Sequence, residues 1–213
     1  LHVSGTNTVS ANVVLFGGGV KSIQQAGNGT LIVSGNISES TSGTAVKYER
    51  VSVAFGKYII TGQNSYSGDT TFADGTFSIS SFGSAGTESS IGKSGTIWLG
   101  KSGSSQDASL IYVGSGEISD KILKVGAGSG ARSISTLGAT GGLVLSADLA
   151  LNGTAALPLL TFSGDSTGNV FGGKIMDPSA STTTTVTKAG TGAWTFGGAN
   201  TYTGTTTLNA SGG

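Results

Sequence analysis

The sequence predicts an all-β chain wound as a parallel β-solenoid, and three observations lead there. Apolar residues arrive in short clusters, several alternating with period two, and Gly, Asn, Asp or Ser punctuates nearly every gap. Helical i, i+3, i+4 spacing is hard to find over even two turns. A long segment also recurs within the chain, with no Pro-rich or charged break between its copies.

The strand clusters run the length of the chain. They begin with Val13-Val14-Leu15-Phe16, Leu31-Ile32-Val33, Val51-Ser52-Val53 and Tyr58-Ile59-Ile60, and continue with Phe77-Ser78-Ile79, Ile97-Trp98-Leu99, Leu110-Ile111-Tyr112-Val113 and Ile122-Leu123-Lys124-Val125. Ile134, Leu143-Val144-Leu145, Leu159-Leu160-Thr161-Phe162, Val170-Phe171, Trp194-Thr195-Phe196 and Thr206-Thr207-Leu208 complete the set. The stretch Leu145, Leu149, Leu151, Ala155, Ala156 and Leu157 comes closest to a helix, but Gly153 interrupts it and Pro158 ends it. In a solenoid, inward Val, Ile, Leu and Phe stack from coil to coil, Gly and Asn turn the corners, and β-branched Thr suits outward rows. Strands about 12 residues apart also fit a sandwich. The long repeat and the lack of clean two-residue hairpins favour the solenoid.

Composition narrows the function classes. Gly, Ser and Thr fill 98 of the 213 positions, and charged residues are only 10 % of the chain. Eleven Lys and Arg balance eleven Asp and Glu, too few cations to neutralise a phosphate backbone, so nucleic-acid binding is not expected. There is no Cys, hence no disulfide frame and no thiolate ligand or nucleophile. No apolar run is long enough to span a bilayer. Disorder is disfavoured because apolar residues reach 36 % and are clustered.

The repeat has two anchors. Tyr58 to Phe72, containing Asn64, Tyr66, Gly68, Thr70 and Thr71, returns 136 positions later as Trp194 to Leu208, containing Asn200, Tyr202, Gly204, Thr206 and Thr207. Leu31-Ile32-Val33-Ser34 returns 112 positions later as Leu143-Val144-Leu145-Ser146. The 24-residue difference places an insertion around residues 150 to 180 of the second copy. One continuous solenoid over 1–213 is expected, its first copy about 1–77 and its second about 78–213, incomplete at its end.

Gly190-Thr191-Gly192-Ala193-Trp194-Thr195-Phe196-Gly197-Gly198-Ala199-Asn200-Thr201-Tyr202-Thr203-Gly204-Thr205-Thr206-Thr207-Leu208 closely resembles the autotransporter-associated β-strand repeat, also called the passenger-associated transport repeat. The earlier copy keeps Asn64, Tyr66, Gly68, Thr70 and Thr71, with Tyr58 in place of the Trp. The resemblance implies a right-handed parallel β-helix in a large secreted or surface protein of a bacterium with an outer membrane. Tyr58, Asn64, Tyr66, Gly68, Trp194, Asn200, Tyr202 and Gly204 are then structural repeat positions. It further implies an extracellular place outside the outer membrane; the short apolar runs add the expectation of no membrane insertion by this segment, and the lack of a ligand motif that of no cofactor. The chain opens without Met and stops inside a repeat, so it reads as an excerpt of a longer protein. Its expected partners are further coils of the same chain or neighbouring copies end to end, and host or cell-surface ligands.

Motifs that mimic active sites fail on context. Gly95-Thr96-Ile97-Trp98-Leu99-Gly100-Lys101-Ser102 fits a phosphate-loop pattern, but its loop positions make a good strand and no helix follows. Gly164-Asp165-Ser166-Thr167-Gly168 matches a nucleophile elbow, yet the single His, His2, precedes it. A glycan-cleaving β-helix needs clustered carboxylates and a basic residue near the sugar. Asp69 with Asp74, and Glu117 with Asp120, are the closest spacings. Lys121, Lys124 and Arg132 fit either a face near that second pair or plain solvated positions. No catalytic or metal-binding residue is assigned. Trp194 and Phe196 share a strand face and suit the core, whereas Tyr66 and Tyr202, in a turn, are expected to be partly exposed. The expected role is a rigid stalk, fibre or adhesin scaffold without enzymatic activity, with cell-cell self-association through Thr/Ser/Asn ladders as the alternative.

Overall fold

The computed structural model describes residues 5–26, 28–51, 56–126, 128–152 and 159–209. Every described element is a strand, and every pairing between named strands is parallel. The clusters read from the sequence therefore pair with the next coil and not with a hairpin partner. The exception to their assignment is Val51-Ser52-Val53: Val51 is a bend after the strand Ala45–Arg50, and residues 52–55 lie outside the described set. The helix-like stretch after Leu145 contains the strand Ala150–Asn152, and its remainder at 153–158 also lies outside that set.

Three faces wrap a single core. The long face has nine strands in one unbroken sheet: Thr6–Val9, Thr30–Val33, Lys57–Ile60, Gly75–Ile79, Ala108–Tyr112, Arg132–Thr136, Leu160–Gly164, Val186–Lys188 and Thr206–Leu208. The second face is split into the pair Val13–Leu15 with Ile37–Glu39, and the four-stranded sheet Ser115–Ser119, Gly141–Leu145, Asn169–Phe171 and Trp194–Phe196. The third face stacks Val20–Gln25, Ala45–Arg50, Thr70–Phe72, Thr96–Leu99, Ile122–Gly126 and Ala150–Asn152.

Period-two alternation becomes vertical columns. Leu31, Tyr58, Phe77, Leu110, Ile134 and Phe162 follow one another in register along the long face, all buried. On the third face Tyr48, Phe72, Leu99 and Val125 do the same. Tyr48, Tyr58, Phe72 and Phe77 meet across the core, with ring centroids 4.7 Å apart for the two Phe and 5.2 Å for Tyr58 and Phe77. Such pairs add to plain area burial. Between the two parts of the second face, residues 80–95 leave the regular path and tuck Phe82 and Ile91 inside. Glu117 fixes this excursion by accepting the Phe82 and Gly83 N–H groups at 2.6 and 3.0 Å, and Asp120 accepts that of Ala85.

The register also explains the repeat offsets. Leu31 and Tyr58 are direct neighbours on the long face, whereas Leu143 and Trp194 lie on the second face with Asn169 between them. The 24-residue difference is one added coil. The second copy is also seated one face further round: Tyr58 is on the long face and Trp194 on the second, Thr70 on the third and Thr206 on the long one.

Candidate functional site

Each motif copy is a strand, a corner and a second strand. In the first corner Asn64 is fully buried; its Oδ1 accepts the Ile37 N–H at 2.7 Å and its Nδ2 donates to the Ser90 carbonyl at 2.6 Å. The Ser65 N–H donates to the Ile37 carbonyl, so one residue of the preceding coil is held at both its polar groups. The second corner repeats this. Asn200 Oδ1 accepts the Ile175 N–H at 2.8 Å, and the Thr201 N–H donates to the Ile175 carbonyl. Asn suits the position because its short amide replaces a ladder bond where the backbone turns away.

The Tyr and Gly are equally regular. Tyr66 donates to Thr70 Oγ1 at 2.7 Å, and Thr70 in turn donates to the Ile91 carbonyl. Tyr202 and Thr206 oxygens are 2.6 Å apart in the second copy. Gly68 lies so close to the preceding coil that a Cβ there would stand 2.5 Å from the Ala45 nitrogen, and Gly204 would likewise strike the Thr184 carbonyl. Only a residue without a side chain fits either place. Tyr66 corrects the expectation of partial exposure: it is fully buried, and burial raises its phenol well above the usual range. The hydroxyl of Thr70 gives it an internal partner, which is why a turn Tyr can be a core residue. Tyr202 is half-buried.

Sequence reasoning missed the partner of each corner. Glu39, on the coil before the first motif, accepts the Thr44 N–H through Oε2 and both the N–H and hydroxyl of Ser67 through Oε1. Asp177, before the second, accepts the Thr184 N–H through Oδ1 and the N–H and hydroxyl of Thr203 through Oδ2. The Thr184 N–H, with the Thr203 groups, holds the Asp177 carboxyl below its ordinary value against the opposing effect of desolvation. Different acids thus make the same three bonds. A signal existed in principle, an acid 28 or 26 residues ahead of the motif hydroxyl, but its spacing is not constant.

The first strand of each motif points its aromatic inward. Tyr58 is buried with its hydroxyl 2.5 Å from the Glu49 carbonyl. Trp194 and Phe196 pack on Phe162 at 5.1 and 5.0 Å, and the Trp194 indole donates to the Ser163 carbonyl. Trp98 faces outward, its indole donating to Asp69 and its ring under Lys124 Nζ.

The look-alike motifs resolve as strands and corners. Thr96–Leu99 is a strand of the third face, with Ile97 and Leu99 in the core and Lys101 exposed after it. Ser166 contacts Asn169 Oδ1 at 3.2 Å, not a base. Lys121, Lys124 and Arg132 do not share one solvated face: Lys121 is within electrostatic reach of Asp120 and Glu117 but is buried. Lys121 is buried against the Gly92 and Ser94 carbonyls, its amine lowered by burial to about 8, and Arg132 is buried elsewhere. Among the described residues no three His, Cys, Asp or Glu side chains converge as a metal site.

The Passenger-associated-transport-repeat family matches residues 56–79 and 186–210, the two corners just described. The chain is 29 % identical over 216 residues to the adhesin BmaC autotransporter of Brucella suis biovar 1 (strain 1330), an alignment covering 98 % of this chain. The chain spans 5 % of that relative's length. No solved structure matches significantly. The chain thus carries two passenger-associated transport repeats, built as one kind of corner in a parallel solenoid.

Proposed function

We propose that this segment is a non-enzymatic, rigid part of a surface-exposed passenger, a stalk or adhesin scaffold held outside the outer membrane. The unbroken nine-stranded parallel sheet carries the reading: eight steps of about 4.8 Å give a rod roughly 38 Å long whose hydrogen bonds run along its axis. The similarity to an autotransporter adhesin supports the setting. Small-angle scattering of the purified chain tests the shape, and incubation with soluble polysaccharides tests the chemistry. A rod cross-section and no new reducing ends are expected; a collapsed globule, or cleavage lost on mutation of an acidic residue, would overturn it.

One observation favours a second reading, self-association between copies. Thr6, Thr30, Thr76, Ser109, Ser133, Thr161 and Thr207 form an outward row on the long face, broken by the charge of Lys57 and by Thr187, which is covered. Such a row can pair with its like at little desolvation cost. End-to-end stacking on further coils is a separate possibility of the fold, directed at the apolar hollow lined by Val9, Val13, Leu15 and Ile23. Sedimentation of the chain with Thr161→Arg separates the two, since that change blocks lateral pairing alone.

A further inference from the structure

We propose that a groove at the edge of the long face binds a neutral sugar. The groove has a volume of about 410 Å³, within the range of small-molecule sites, and crosses three successive coils. Gly75, Ala108 and Ala131 make a small-residue floor, and Gln106, Asp107 and Ser109 supply its polar edge.

Those polar groups are oriented before any ligand arrives. Arg50 Nη2 donates to Gln106 Oε1 at 2.7 Å, which leaves the Gln106 amide NH₂ as a donor. Arg50 is itself held by Asp74 through its backbone N–H and Nε. Asp107 Oδ1 accepts the Ala131 N–H at 2.7 Å, which leaves Oδ2 to accept. Ser133 donates to Ser109 at 2.8 Å, which leaves the Ser109 hydroxyl hydrogen to donate. Two donors and a carboxylate oxygen above a floor of small residues suit a ring with hydroxyls at its rim and C–H groups on its face. Arg50 and Arg132 stand against Asp74 and Asp107, so the groove presents balanced charge and nothing that selects an ionic ligand.

The wall behind the groove comes at a cost to the fold. Arg132 is fully buried in a column where its neighbours are Ala108 and Leu160, and its Nε has no partner. A leucine would fill that place without a buried unsatisfied donor. The guanidinium instead takes the space above Gly100 and donates through Nη1 to the Gln106, Gly130 and Ala131 carbonyls. It ties the Gln106-Asp107 wall to the opposite Ala131 wall from inside. Local rules broken at the expense of stability mark functional sites more often than packing accidents.

The test is saturation-transfer NMR on the whole 213-residue chain with trisaccharides of glucose, galactose, mannose and N-acetylglucosamine, and with sialyllactose as the acidic control. Transfer from at least one neutral sugar is expected, weakened about tenfold in Asp107→Asn, the size of one lost charge-assisted hydrogen bond. Asp107→Asn keeps the acceptor for Ala131, so its fold is preserved. Arg132→Leu should keep the parent's β circular-dichroism spectrum and still lose the sugar, because the Gln106 and Ala131 walls are no longer tied. Silence from every neutral sugar at millimolar concentration, transfer from sialyllactose alone, or full binding by Asp107→Asn would overturn the proposal. None of these outcomes bears on the rod shape that carries the scaffold reading.

Discussion

Replacing Asn64 with Ala tests what the motif asparagine contributes. The side chain is fully buried, and its removal strands two interior backbone groups, the Ile37 N–H and the Ser90 carbonyl. Each buried group left without a partner costs about 1–3 kcal/mol, so Asn64→Ala should cost about 2–6 kcal/mol. Asn200→Ala is the internal comparison. It removes one bond, to the Ile175 N–H, at a half-buried corner where water can take over, so about 1 kcal/mol is expected. Because solenoid coils open locally, hydrogen exchange at Ile37 and Ser65 reads the effect more directly than a global melt. Protection at both amides should fall steeply in Asn64→Ala; in Asn200→Ala the Ile175 amide, handed to water, exchanges faster, while the Thr201 amide, which keeps its bond to the Ile175 carbonyl, changes little. Asn64→Asp divides the two bonds, since it keeps the acceptor for Ile37 and loses the donor to Ser90. Equal loss of protection in the two alanine variants would refute the argument that burial sets the cost.

The buried amine of Lys121, lowered by burial to about 8 against an ordinary 10.5, loses its proton in the folded chain first. Between those values the unfolded chain binds more protons, so this group makes stability rise with pH; thermal melts should show a rising limb from about pH 8 to pH 10 that Lys121→Met flattens. Asp177 works in the opposite range: its lowered carboxyl contributes stability above the ordinary carboxylate value and loses it as pH falls from there through its own lowered value. Asp177→Asn should therefore flatten the acid limb of the melting curve between about pH 5 and pH 2. Neither the parent nor Lys101→Ala should bind ATP in calorimetry, and the change should leave the melting temperature in place, since Lys101 is an exposed turn residue after a core strand.

The strands and the inward aromatics were legible because both obey local rules. Trp194 and Phe196 alternate with Thr195, and the structure turns them toward Phe162 as that pattern requires. Tyr66 was not legible. Its neighbours read as a turn, and only the Thr70 hydroxyl, placed by the next strand, makes its burial tolerable. Glu39 and Asp177 escaped notice because two different acids, at different distances from the motif, do one job. Arg132 and Lys121 escaped because charged residues are normally solvated, and what permits their burial is backbone carbonyl oxygen presented by irregular loops, which no pattern in the sequence announces. The single-face shift between the motif copies was likewise hidden, since offsets along a chain do not reveal the angle around an axis.

The long face keeps its register through coils of very unequal length: 19 residues separate Lys57 from its partner Thr76, and 33 separate Thr76 from Ser109. Both coils advance the rod by the same strand spacing, about 4.8 Å. Reach and girth are therefore independent quantities in this architecture. Adding a coil lengthens the reach, whereas adding residues to a corner changes only what projects sideways. Selection could lengthen the rod one rung at a time while reshaping the flanks, as at residues 80–95 and 100–107, without disturbing a single bond of the nine-stranded sheet.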